Sequence, residues 1–264
     1  MAKYIAVHSF KGGTGKSTVS ANTAAALALS GKRVAVMDMD LEGPGIHVIF
    51  GVKESDVKFT LNDVLVDKAK ISDAAIDLTA RLGLKNGRLL FVPASYKIED
   101  ILEVLRAGFE INTFKSILNS LSDAFKLDYL LIDTHPGIEN DTVLSMGVCD
   151  GILLVSRVDQ QDILGTGIMA RLASSLHRRA WIVFNMIPPD VSHGGFQALA
   201  SKLSQLFGIK AIAALPFTMP ILQTLSREVF VLSQPRHGYS KAIFSMAESL
   251  AKELPSLEGL QWNR

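Results

Sequence analysis

Lys11-Gly12-Gly13-Thr14-Gly15-Lys16-Ser17-Thr18 is the stretch on which the reading of this 264-residue chain turns. It fits G-x-x-x-x-G-K-[ST] only if the first glycine is relaxed, because Phe10 stands where that spacing requires Gly. The tighter form K-G-G-x-G-K-[ST]-[ST] is matched at every position. Gly12, Gly13 and Gly15 permit backbone conformations closed to residues with a Cβ, so successive N–H groups can turn inward around a phosphate. Lys16 brings a positive charge for the β- and γ-phosphates, the Ser17 hydroxyl is suited to Mg²⁺, and Thr18 opens a helix whose N-terminus adds partial positive charge. Each of these parts serves a nucleoside triphosphate, with Gly12 through Thr18 as its cradle. The flanks agree: residues 4–7 are a short apolar, β-prone run and residues 20–29 are rich in Ala and Leu, so the loop falls between a strand and a helix.

The whole chain sets wide bounds. With 48% hydrophobic residues it can bury one large core, and no Pro/Gly/Ser-rich linker, long charge run or internal repeat divides it. We therefore read residues 1–254 as one domain and 255–264 as a short tail. A formal net charge of +1 gives no global basic field, so nucleic-acid binding would rest on a local patch. A single cysteine, Cys149, excludes an internal disulfide and fits a reducing cytoplasm. Residues 1–10 lack the pattern of a signal peptide, and no apolar run is long enough for a spanning helix.

Seven apolar runs alternate with helical patterns: residues 4–9, 33–37, 88–92, 129–132, 151–156, 180–185 and 211–215. Continuously apolar strands separated by helices predict a doubly wound α/β fold, a mostly parallel sheet covered by helices on both faces. Ligands of such sheets bind at the carboxyl ends of the strands. After the second run come Asp38 and Asp40, whose i, i+2 spacing projects both carboxylates to one side, followed by a Gly/Pro stretch that reads as a movable loop. One is suited to orient Mg²⁺ or its waters and the other to position an attacking water. After the fourth run comes Asp133-Thr134-His135-Pro136-Gly137, an Asp closing a buried strand near the metal, with the Gly137 N–H placed for the γ-phosphate. His135, with no Cys or His at ligand spacing nearby, reads as a solvent-side histidine rather than a metal ligand.

With these three segments in place, the chain resembles the deviant Walker A ATPases of the MinD/ParA group over nearly its whole length. The most specific element is Lys11, the extra lysine that ordinary P-loop proteins lack. The resemblance implies Mg²⁺-dependent ATP hydrolysis in an ATP-dependent homodimer. Lys11 acts across the interface on the partner's phosphates, Lys16 in cis, Ser17, Asp38 and Asp133 around the metal, and Asp40 on the water. It further implies that Asn185, and a loop containing Pro216 and Phe217, surround the adenine, and that Asp159 reaches the opposing subunit's nucleotide. Asp133-Thr-His-Pro-Gly departs from the group's D-x-P-[PA]-G by His135. Cousins that carry iron–sulfur clusters or bridging metals need cysteine pairs, which Cys149 alone does not supply, except one Cys per subunit across a dimer.

Three functions follow from the resemblance. In a MinD-like enzyme the ATP dimer recruits a protein activator or cargo adaptor for spatial positioning and slow hydrolysis disperses it. In a ParA-like protein the dimer binds non-specific DNA, for which Arg171 and His177-Arg178-Arg179 are the candidates, although such a cluster more often finishes a solvated helix. In a scaffold, hydrolysis is vestigial, against which Lys11, Asp40 and Asp133 argue. Leu257, Leu260 and Trp262 of the tail offer a weak membrane contact, too short and too little basic for firm anchoring. Ile98, Ile101, Leu102 and Leu105 form a helical apolar stripe that reads as a core face.

Overall fold

The computed structural model describes residues 2–41, 43–108, 110–188 and 193–254. The tail and its Leu257, Leu260 and Trp262 lie outside these residues. Among the described residues, eight strands form one sheet in the order β3-β4-β2-β5-β1-β6-β7-β8. They are β1 (Lys3–His8), β2 (Arg33–Met39), β3 (Ile76–Asp77), β4 (Arg88–Val92), β5 (Tyr129–Thr134), β6 (Gly151–Ser156), β7 (Arg179–Ile187) and β8 (Lys210–Pro216). All pairings are parallel except β3 against β4. The doubly wound fold is as the sequence predicts. What it missed is β3, two residues at the sheet edge, too short to show any alternation.

Strand residues alternate between two cores. Ile5, Val7, Val34, Val36, Tyr129 and Leu131 face one side, where α1 (Lys16–Leu29) and α7 (Gly238–Glu253) cover them with Ala24, Leu27, Ile243 and Leu250. Ala6, Ala35, Met37, Leu130 and Ile132 face the other, against Val104 of α2 (Ile98–Ala107), Phe114 and Leu118 of α3 (Ile111–Phe125), Met146 of α4 (Asn140–Val148) and Met169 of α5 (Gln160–Ser175). A last long helix, α6 (His193–Phe207), packs near β8. The run of alanines in α1 lets that helix lie close on the sheet, and residues 23–28 are all buried.

The stripe on α2 is corrected. Ile98, Leu102 and Leu105 are 60%, 42% and 55% exposed, and Val104 alone of the helix is fully buried. Periodicity found a real apolar face; it turns outward rather than onto the sheet.

β1 lies between β5 and β6, so the chain departs to opposite sides of the sheet from this strand. That switch point opens a crevice at the carboxyl ends of β1, β2 and β5. Asp38 pairs with Asp133 in the β2–β5 register, and Val7 pairs with Asp133 in the β1–β5 register, so the loop after β1 and both carboxylates meet at one place.

Candidate functional site

The loop between β1 and α1 has the conformation that its glycines permit. Gly13 and Gly15 have φ of 77° and 83°, and Gly15 in the left-handed region is the helix N-cap. A Cβ at Gly15 would lie 2.4 Å from Asn185 Nδ2, so close approach as well as φ demands glycine here. Phe10, the departure from the strict motif, has a packing reason. Its ring lies against α5, where a Cβ on Gly165 would stand 2.1 Å from it.

Lys16 is buried and reaches across to the strand ends. Its Nζ is 2.8 Å from Asp133 Oδ2 and 3.7 Å from Asp40 Oδ2. Ser17 Oγ donates to the same Asp133 oxygen at 2.8 Å, and Ser20 Oγ to the other at 2.5 Å. Asp38 is fully buried and accepts long hydrogen bonds from the backbone N–H groups of Asp40, Gly45 and Ile46 at 3.2–3.4 Å. Burial pushes the Asp38 carboxyl up to about 7, with the charge of Asp133 adding to it and that of Lys16 opposing. Burial alone would lower the Lys16 ammonium, but Asp133 and then Asp40 outweigh it and the net shift is upward.

The sequence therefore brings Lys16, Ser17, Asp38, Asp40 and Asp133 together. Ser20, facing Asp133 one turn beyond the motif, was missed: a serine inside an Ala-rich helix gives no sign of its partner. Gly137, at φ 98°, donates its N–H to the Ser9 carbonyl at 3.1 Å, tying the loop after β5 to the strand that precedes the cradle. His135 is not a solvent-side histidine. Its side chain is 21% exposed, and its Nδ1 lies 2.8 Å from Asp40 Oδ1.

Lys11 turns away from Lys16 and donates to Gln161 Oε1 at the start of α5. Asp159 caps that helix, accepting from the Asp162 N–H, and pairs with Arg157 at 3.2 Å. Asn185, Pro216 and Phe217 line one cleft with Gly15 and Thr18, closed to about 40 Å³. A bulge between β7 and β8, with Met186 at φ 55°, re-aims Asn185, whose Nδ2 donates to the Thr14 carbonyl at 2.8 Å. Tyr239 of α7 also lines this cleft, and its buried hydroxyl meets no partner among the described residues. Arg178 and Arg179 lie elsewhere, at the amino-terminal edge where Arg179 pairs with Gly151.

The donors fit a nucleotide and a hard divalent cation. The Thr14 hydroxyl is buried within the loop without a partner among the described residues. One hydroxyl and strand-end carboxylates are the oxygen set that Mg²⁺ takes when phosphates and water complete its shell. Among the described residues no cluster of three or more His, Cys, Asp and Glu could hold a metal alone. A site that relies on the nucleotide for its remaining ligands needs none.

A glycine loop between strand and helix, with its lysine and serine on a carboxylate at the end of the neighbouring strand, defines a P-loop nucleoside triphosphatase. The chain belongs to the ParA family of these proteins: the ParA family model, described as NUBPL iron-transfer P-loop NTPase, matches residues 1–251. An uncharacterized ATP-binding protein of Methanocaldococcus jannaschii is 37% identical over 59% of this chain and 53% of its own length. The septum site-determining protein MinD of Thermotoga maritima is 25% identical over 98% of this chain and 91% of its own. The cell division ATPase MinD of Pyrococcus furiosus superposes with a TM-score of 0.79 at 25% identity, covering 96% of this chain and all of that one. The chain spans little more than half the length of the first curated relatives it matches.

Proposed function

We propose that this protein is a MinD-like, Mg²⁺-dependent ATPase whose ATP-bound homodimer recruits a protein partner and is released by slow hydrolysis. The observation that carries the reading is Lys16 held by Asp133 and Asp40 beside Ser17, at the mouth of the glycine loop. In this proposal Lys16 exchanges its carboxylate contacts for the β- and γ-phosphates, and the N–H groups of Gly12 through Gly15 bind the same oxygens. Ser17 is a direct metal ligand, with Asp133 and Asp38 behind it. Mg²⁺ held there would supply neutralisation of the phosphate charge. Asp40 orients the attacking water, the Gly137 N–H leaves the Ser9 carbonyl for the γ-phosphate, and Asn185, Pro216 and Phe217 open around the adenine.

Lys11 is the residue assigned to a second subunit. It leaves its own cradle for Gln161, and a lysine at that place serves best across an interface as a charge stabiliser. The iron transfer in the family's description is not carried to this chain. Its only cysteine, Cys149, is fully buried, and burial raises its thiol, so no thiolate pair is offered.

Two variants test the proposal. Asp40→Ala keeps ATP binding and accumulates as a dimer with ATP, measured by light scattering and phosphate release; turnover at the parental rate sinks the hydrolytic role. Lys11→Ala binds nucleotide and remains a monomer, and an unaltered ATP-dependent dimer contradicts the role across the interface.

A further inference from the structure

His135 occupies a place that none of the roles above uses. It follows Asp133 by two residues at the end of β5, and its backbone carbonyl accepts from the Thr142 hydroxyl of α4 at 3.3 Å. The ring lines a groove of about 900 Å³ whose other walls include Leu41, Leu105, Ile138 and Leu144. From there Nδ1 reaches Asp40 Oδ1 at 2.8 Å, while Nε2 stands 3.9 Å from Glu139 Oε1. A carboxylate only accepts, so the proton of this short contact is on the imidazole. The loop after β2 is thereby joined to the loop after β5 through two side chains.

Among the described residues, Asp40 has these polar neighbours: Lys16 Nζ at 3.7 Å on one oxygen, and the Gly43 N–H at 3.2 Å with His135 on the other. Under the proposed function Lys16 turns to the phosphates, which leaves the Gly43 N–H and the imidazole. Gly43 belongs to the same loop as Asp40. His135 is anchored to a different element and is the contact that fixes the carboxylate relative to the sheet.

We propose that His135 is a positioning residue for hydrolysis: its Nδ1–H holds Asp40 in the orientation that aligns the attacking water. This rests on the reading of Asp40 given above. The bond acts on the transition state rather than on nucleotide affinity, because His135 has no place in the cradle.

Steady-state ATPase kinetics of the full chain test it, with nucleotide binding measured separately. His135→Ala lowers kcat by about 10- to 100-fold, the scale of a misplaced catalytic group, and leaves KM for ATP within about twofold. His135→Asn, whose amide nitrogen takes the place of Nδ1, restores most of kcat. His135→Gln, whose nitrogen reaches the place of Nε2, does not. If the alanine variant fails to fold, the Asn and Gln proteins carry the comparison. Full kcat in His135→Ala, Asn and Gln variants of equal activity, or a loss expressed in KM, each overturns the assignment. A wild-type protein that turns over no ATP, or an Asp40→Ala protein as fast as wild type, brings down the hydrolytic reading and this one with it. That failure is recognised from those two proteins alone, without any His135 variant.

Discussion

His8 and Asp38 are both wholly inaccessible to solvent, and burial moves them in opposite directions. The His8 imidazole is pushed down to about 3, by burial first and then by the charges of Lys16 and His135, while Asp38 is raised to about 7. Between these limits the folded chain holds both groups neutral. The unfolded chain ionises both, Asp38 losing a proton and His8 gaining one below its ordinary value near 6.5. His8 thus makes stability fall as pH drops from about 6.5 toward 3, because only the unfolded state takes up its proton. Asp38 makes stability fall as pH rises from about 4 toward 7, because only the unfolded state releases its proton there. The two slopes offset each other in the overlap. His8→Asn removes one of them, and its urea-denaturation stability should decline from pH 4.5 to 6.5 relative to wild type by up to about 1.4 kcal/mol per unit. Parallel curves for the two proteins would show that His8 is not held neutral by the fold.

Among elements, the contact of the phosphate loop with α5 explains an oddity of the motif. Phe10 stands where the strict pattern has glycine, and its ring fills the space that Gly165 leaves on the helix. Gly165→Ala places a methyl group 2.1 Å from that ring and should cost about 1–3 kcal/mol by overpacking. In a Phe10→Ala background the same substitution becomes nearly neutral, so a double-mutant cycle by thermal unfolding reads the coupling. Additive losses would mean that Phe10 and Gly165 do not meet. The pairing was illegible beforehand because a small residue in a helix gives no hint of what lies against it. The central strands were legible for the opposite reason: β1, β2, β4, β5 and β6 are largely buried on both faces and declare themselves as apolar runs. β3 has two residues, and Ile76 and Asp77 carry no pattern. On α2 the period was correct and its direction was not, since an outward-facing Leu105 obeys the same spacing as an inward-facing one. The carboxylates were legible as strand ends, but the hydrogen bond from His135 to Asp40 joins residues 95 apart in sequence, which spacing does not encode.

Across the whole molecule the charge balance sets a condition on nucleotide binding. The chain is nearly neutral, with a formal charge of +1, so no broad positive field draws a polyanion to it. At the crevice itself, among the described residues, the carboxyl groups of Asp38, Asp40 and Asp133 confront the ammonium of Lys16, while Lys11 is directed to Gln161. Free ATP would add further negative charge to a buried acidic cluster, at a cost that only Lys16 and the loop's N–H dipoles oppose. A divalent cation arriving with the phosphates would reverse the balance, lowering the energy of ionised Asp38 as well as that of the γ-phosphate. Under the proposed function, nucleotide, cation and fold are therefore linked. With Mg²⁺ and ATP at about one hundred times the dissociation constant, stability should rise by about 2.7 kcal/mol, equivalent to an increase in Tm of about 5–10 °C for a chain of this size. The same ATP concentration in excess EDTA should produce a shift several-fold smaller. Differential scanning fluorimetry on the full chain, with ATP titrated in both conditions, measures it. An equal shift with and without Mg²⁺ would mean that the carboxylates at the ends of β2 and β5 do not face the phosphates.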